Sequence, residues 1–221
     1  MKNTKMVTAM LTAGVMMAMV SGNVLADSEA DRSVVGIVTE NGYENERFGL
    51  KCTLPSDYTI DCRSAVQPAG PQEMLDASNS DETIDLLATQ VALGSATVFS
   101  ASAANETDNM VITIEFPGAG YDEWDSEEVV AEGTMNSVRE NLESASTEDV
   151  TVDNIDVELA QINFMGEEHT GLEYSCTMND IPFYGKSVFL ISDNSKFAFV
   201  LDMLAMDDAT IAEMLNSFTK L

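Results

Sequence analysis

Few residues in this chain could do chemistry, and their spacing argues against most of it. One histidine, His169, and three cysteines, Cys52, Cys62 and Cys176, stand among 38 acidic residues. A nucleophilic pair of His169 with Cys176 fails on geometry. Seven residues along one strand span about 23 Å at ~3.3 Å per residue, and odd spacing puts the two on opposite faces. His169 is instead expected as an exposed residue at a strand start. No G-x-S-x-G elbow occurs. Neither H-E-x-x-H nor paired C-x-x-C offers zinc ligands. Asp76-x-Ser78-x-Ser80 begins like a calcium loop, but Asp81 stands where glycine is needed and Leu87 where the bidentate glutamate belongs. No metal and no cofactor is expected. Adjacent acids such as Glu167-Glu168 and Asp207-Asp208 could serve a glycosidase. In so acidic a chain such pairs arise by composition, and helix capping accounts for the second.

Tyr121-Asp122-Glu123-Trp124 is the most suggestive surface stretch. Two aromatics among acids could stack on a sugar or hold a cation over a ring face. The competing reading is structural. Trp124 precedes Asp125, read as a helix N-cap with Glu128 closing a capping box. Trp124 and Val129 would then form a hydrophobic staple.

The elements that must position these residues centre on residues 157–204, which read as four consecutive strands. Leu172, Tyr174, Cys176 and Met178 alternate with polar residues, and Asn179-Asp180 turns the chain. From Ile181 to Met203 two strands are apolar on both faces, so helices must cover the sheet on both sides. Upstream, Val34–Thr39 is expected as an edge strand. Phe48, Leu50, Cys52 and Leu54 form the first arm of a hairpin, with Tyr58, Ile60 and Cys62 as its return. Residues 67–78 read as a loop. Asn79 is expected to cap a helix carrying Ile84, Leu87, Ala88 and Val91, and Gly94 to stop it. Two strands follow over 96–103 and 109–116. A second helix carries Ala131, Met135, Val138, Leu142 and Ala145, and Asp207 caps a last one.

In that hairpin Cys52 and Cys62 share one face. Pairing 52 opposite 62 also pairs 54 with 60, at a separation a disulfide accepts. The pair is read either as that disulfide or as two buried apolar thiols, as Cys176 is.

The first residues carry an address. Lys2 and Lys5, the uncharged run Met6–Val20 and Val24-Leu25-Ala26 form a secretory signal over 1–26. No transmembrane segment is expected after cleavage. Residues 27–33 read as a linker and 34–221 as one domain. The whole chain carries net charge −28, and residues 1–26 hold two of its ten basic residues and none of its acids. Such a chain repels nucleic acid, which binds through Lys and Arg.

Gly42, Gly49-Leu50 and Pro55, the run Gly166-Glu167-Glu168-His169, and Pro182-Phe183-Tyr184 with the capped terminal helix resemble the PsbP-like family. The resemblance implies an α+β fold of Mog/PsbP type. That is an α/β/α sandwich with a mainly antiparallel central sheet of about six to eight strands flanked by three helices. It also implies a binding or accessory role, of the kind found in small secreted proteins of Gram-positive bacteria, and no catalytic residue set carries over. The expected function is therefore a secreted, non-enzymatic binding domain for a cationic protein or cell-envelope component. The alternative is a secreted hydrolase using paired carboxylates in a cleft.

Overall fold

The computed structural model describes residues 31–63, 70–105, 107–116, 126–147, 150–192 and 197–221. After a 3-10 turn at Arg32–Val34 come β1 (Ile37–Thr39), β2 (Gly42–Asn45), β3 (Leu50–Thr53) and β4 (Tyr58–Ile60). Helices α1 (Pro71–Ser78) and α2 (Asp81–Ala92) lead to β5 (Ser95–Ala103) and β6 (Asn109–Glu115). Helix α3 (Glu127–Ser144) precedes β7 (Val152–Phe164), β8 (Glu167–Met178), β9 (Ile181–Ile191) and β10 (Ala198–Ala205). Helix α4 (Asp208–Asn216) and β11 (Phe218–Lys220) close the chain.

The fold is α+β. Seven strands form an antiparallel sheet in the order β4-β5-β6-β10-β9-β8-β7, and four form a smaller one, β1-β2-β3-β11. The long meander follows from its turns. Met165-Gly166 and Asn179-Asp180 all have positive φ, the backbone that two-residue hairpins need for strands of right-handed twist. Strand β10 is buried along its whole length. Its Phe199, Leu201 and Met203 join a core shared with the small sheet, α2 and α4. Ala198, Val200 and Leu204 join a second core under Val130, Ala131, Val138 and Leu142 of α3. Helix cover on both faces, expected from the doubly apolar strands, is present. No helix among the described residues is long and apolar enough to cross a membrane.

Several local expectations are corrected. Residues 71–78 form a helix that starts on Pro71 after Gly70, a position where proline's missing N–H costs nothing. Ser80, not Asn79, caps α2, its hydroxyl accepting from Thr83 N. The Asn79 amide instead bonds both backbone groups of Val38, donating at 2.7 Å and accepting at 3.0 Å, and so closes the free edge of β1. Ser126, not Asp125, caps α3. Its fourth helical position is then Val130, which is buried, while Val129 is 46% exposed. A staple on Val129 therefore loses its helical register. The smaller sheet and a fourth helix were not expected.

The hairpin is the largest correction. Cys52 lies opposite Tyr43 of β2 on one side and Phe218 of β11 on the other. Both edges of β3 are thus filled, and β4 pairs instead with β5 in the other sheet, Tyr58 opposite Ala103. Leu50, Cys52 and Leu54 are buried as their parity required. The partner strand, however, comes from the far end of the chain. Cys52 and Cys62 are not joined. Cys52 Sγ lies 3.3 Å from Ser217 Oγ, and Ser78 donates to Cys62 Sγ at 3.6 Å. Burial pushes the Cys52 and Cys176 thiols up to about 11.

Arg63 joins the layers. Its Nε donates to Ser78 O at 2.7 Å, Nη1 to Val35 O and Val98 O, and Nη2 to Gly36 O and Asn79 Oδ1. A guanidinium has five N–H donors, and all five are used. The acceptors come from the segment before β1, the C-terminal end of α1 and the middle of β5. Gly36 must be glycine here: its φ is +65°, and a Cβ would stand 2.5 Å from the Tyr43 hydroxyl. Replacing Arg63 by Met keeps the apolar stem and strands the carbonyls. Arg63→Met is expected to lower unfolding free energy by roughly 3 kcal/mol or more, read from urea midpoints. Arg63→Lys should recover only part of this, because three donors on a flexible stem cannot match a planar fork.

Candidate functional site

Of the residues singled out in the sequence, Tyr121, Asp122, Glu123 and Trp124 lie outside the described residues. The structure gathers charge elsewhere, at one corner of the large sheet. Strands β7, β8 and β9 put Glu158 directly opposite Glu173, and Glu173 directly opposite Lys186. The neighbouring row on the same face is Asp156, Ser175 and Tyr184. Lys186 Nζ lies 2.7 Å from Glu173 Oε1 and 3.5 Å from Asp208 Oδ1, in the first turn of α4. Burial alone would lower the Lys186 pKa, but the Glu173 and Asp208 carboxylates outweigh it and raise it. These residues line a cleft of about 170 Å³.

A β-bulge builds this corner. The register of β7 on β8 shifts between Asp153 and Asp156, where Asn154 takes φ +52°. Val152 and Val157 both join the core under α3 although they are an odd number of residues apart. The extra residue absorbs the change of parity. Without it Asp156 would point into that core; with it, Asp156 joins Glu158 on the opposite, open face. Like charges directly opposed on adjacent strands are destabilising. One lysine faces four carboxylates here, and no ion pair is formed by Asp156 or Glu158 among the described residues. The corner therefore favours a further cationic group, with the half-exposed Tyr184 ring beside it.

His169 is not the exposed residue expected. Its side chain is 13% exposed, and Nδ1 lies 2.8 Å from Oε1 of Glu127, the first residue of α3. The other oxygen, Oε2, accepts from Thr170 N at 3.1 Å. The pair ties the start of α3 to β8 at a point where β9 no longer pairs. Sequence separation hid this contact: the two residues are 42 positions apart.

Two buried acids sit on the central strands. Glu115 is 1% exposed, and among the described residues neither carboxylate oxygen has a hydrogen-bond partner. Burial, then the Asp202 charge, pushes it up to about 8. Burial also raises Asp202 to about 6, against the opposing hydrogen bond from the Ser187 hydroxyl. Both residues face the α3 side of the sheet by strand parity, and neither lines the cleft above. A larger cleft of about 510 Å³, with Leu54, Pro55, Tyr58, Ile60 and Met74 in its wall, gathers no such charge.

No family model matches this sequence, and no curated protein does. Among solved structures the chain is similar to cyanobacterial PsbP (CyanoP) from Synechocystis sp. PCC 6803. The identity is 13% and the TM-score 0.43, over 90% of this chain and 98% of that one. It is also similar to LpqN of Mycobacterium tuberculosis, involved in cell envelope biogenesis. There the identity is 13% and the TM-score 0.34, over 77% of this chain and 82% of that one.

The buried acids give a pH dependence. Each has a folded pKa above its unfolded value near 4, so the folded state binds more protons than the unfolded one. Stability is therefore fully present below about pH 4 on this account and lost as pH rises toward 8. General repulsion among acids acts in the same direction, so the comparison is with Glu115→Gln. The variant is expected to show a flatter fall in urea midpoint between about pH 5 and 8, and to exceed the parent at pH 8.

Proposed function

We propose that this protein is a secreted, non-enzymatic binding or accessory domain of the cell envelope, and that it takes a cationic group on the β7–β8–β9 corner. The observation that carries the reading is the direct opposition of Glu158 and Glu173, with Asp156 on the same face and Lys186 as the one counter-charge among the described residues. A fold left unliganded bears this repulsion; an ammonium or guanidinium group relieves it. The signal over 1–26 supports an extracytoplasmic place, and the net charge of −28 favours basic partners over nucleic acid.

The test is octalysine binding by titration calorimetry at low and high salt. Glu158→Gln/Glu173→Gln is expected to weaken binding about tenfold or more, since two charge-assisted contacts are lost. Glu140→Gln/Glu143→Gln, on the exposed face of α3, removes the same charge and should leave affinity within about twofold. Without ligand, Glu158→Gln should be more stable than the parent by about 0.5 kcal/mol. Equal weakening by both double variants would reduce the effect to net charge and end the reading.

A further inference from the structure

Strand β7 is an outer strand of the large sheet, and its two halves are treated differently. The first half is closed to pairing. The bulge at Asn154 distorts it, and Arg139 of α3 donates to Val157 O at 3.2 Å. That bond also shows which backbone groups point outward. If Val157 O faces away from β8, alternation sends the N–H and C=O of Leu159, Gln161 and Asn163 outward as well. Thr170 agrees: it lies opposite Gln161, and its N–H points away from β7, to Glu127. Among the described residues nothing bonds these outward groups.

The open half, Glu158–Phe164, has none of the usual protection. It contains no Lys, Arg, Pro or Gly and no bulge. By contrast β1, an outer strand of the small sheet, is closed by the Asn79 amide. An unprotected edge is a template for a further strand.

From this edge we infer that the protein binds its partner by β-augmentation: an extended segment with Lys or Arg at the end that lies beside Glu158 adds to β7 over Glu158–Phe164. This deepens the cation-binding reading above and rests on it. The main chain of the segment would bond Leu159, Gln161 and Asn163. On that face the segment's side chains would fall beside Glu158, Ala160, Ile162 and Phe164, since cross-strand neighbours share a face, so a basic residue at the Glu158 end meets the acidic corner. Charge selects this occupant over a second copy of the chain. Two copies paired through β7 would bring together molecules that each carry −28.

The probe is an alternating Lys–Thr octapeptide, measured against the same peptide N-methylated at alternate residues. Methylation removes main-chain donors and leaves charge unchanged. The methylated peptide, and the unmodified peptide with Gln161→Pro, are each expected to bind about tenfold more weakly. Gln161 points its N–H outward, so proline there removes no sheet bond; Leu159→Lys serves as a second edge variant. If methylated and unmodified peptides bind equally while Glu158→Gln/Glu173→Gln weakens both, the corner takes cations without strand addition. The inference then fails and the cation-binding reading stands. If neither peptide binds at low salt, both fail. Self-association that Gln161→Pro abolishes, seen by sedimentation, would assign the edge to a second copy and overturn the inference.

Discussion

The architecture turns on one guanidinium. Arg63 sits partly buried in an acidic chain, yet its five bonds go to four backbone carbonyls and one side-chain amide. Burial lowers its pKa, but a guanidinium keeps its proton throughout the ordinary range. The charge must therefore be solvated by the protein, and the carbonyl dipoles replace the water it gave up. Because a guanidinium is planar and rigid, satisfying it fixes several segments at once. The end of α1, the entry to β1 and the centre of β5 cannot shift independently without exposing a buried donor. Tyr43 and Asn45 extend the arrangement, the Tyr43 hydroxyl donating to Val35 O and the Asn45 amide to Val34 O. The small sheet is thereby held against the large one by directional bonds as well as by the shared apolar core.

The second constraint is the bulge in β7. A regular strand would carry Asp156 under α3 with Val152, where an unpaired carboxylate would be costly. One extra residue keeps Val152 and Val157 in the core and turns Asp156 outward. The same insertion disrupts the edge beside it, so the first half of β7 is both re-aimed and protected. The acidic corner and the boundary of the open edge thus have one cause. At the far end of the strand, Glu127 engages Thr170 N and His169, anchoring the end of the meander that extends past β9.

How much of this could be read from the residues depends on how local the determinant is. The meander of β7 to β10 was legible because alternation and the Asn179-Asp180 turn are local signals. Asp207 as a cap was legible for the same reason. The caps of α2 and α3 each fell one residue later than read, since adjacent residues, Asn79-Ser80 and Asp125-Ser126, can both cap and only tertiary contacts choose. Asn79 is drawn off to Val38, 41 residues away. The Cys52–Cys62 register failed because parity says which face a side chain takes but not which strand lies beside it. Arg63 had no signal at all: its partners are backbone atoms, and any sequence supplies those. The acidic corner was hidden by the bulge, which inverts the parity that a period-two reading assumes.

The corner and the edge also have a common energetic logic. Opposing Glu158 to Glu173 weakens the unliganded sheet, and leaving β7 open forgoes the main-chain bonds a neighbour would supply. Neither cost serves stability, and a neutral residue at 158 or a lysine in β7 would remove it. On the proposed reading, both costs would be recovered together only by a partner that brings positive charge and an unpaired strand. A free cation relieves the first alone, and an uncharged strand relieves the second alone. On that reading discrimination would rest on the coincidence of the two features rather than on either contact by itself.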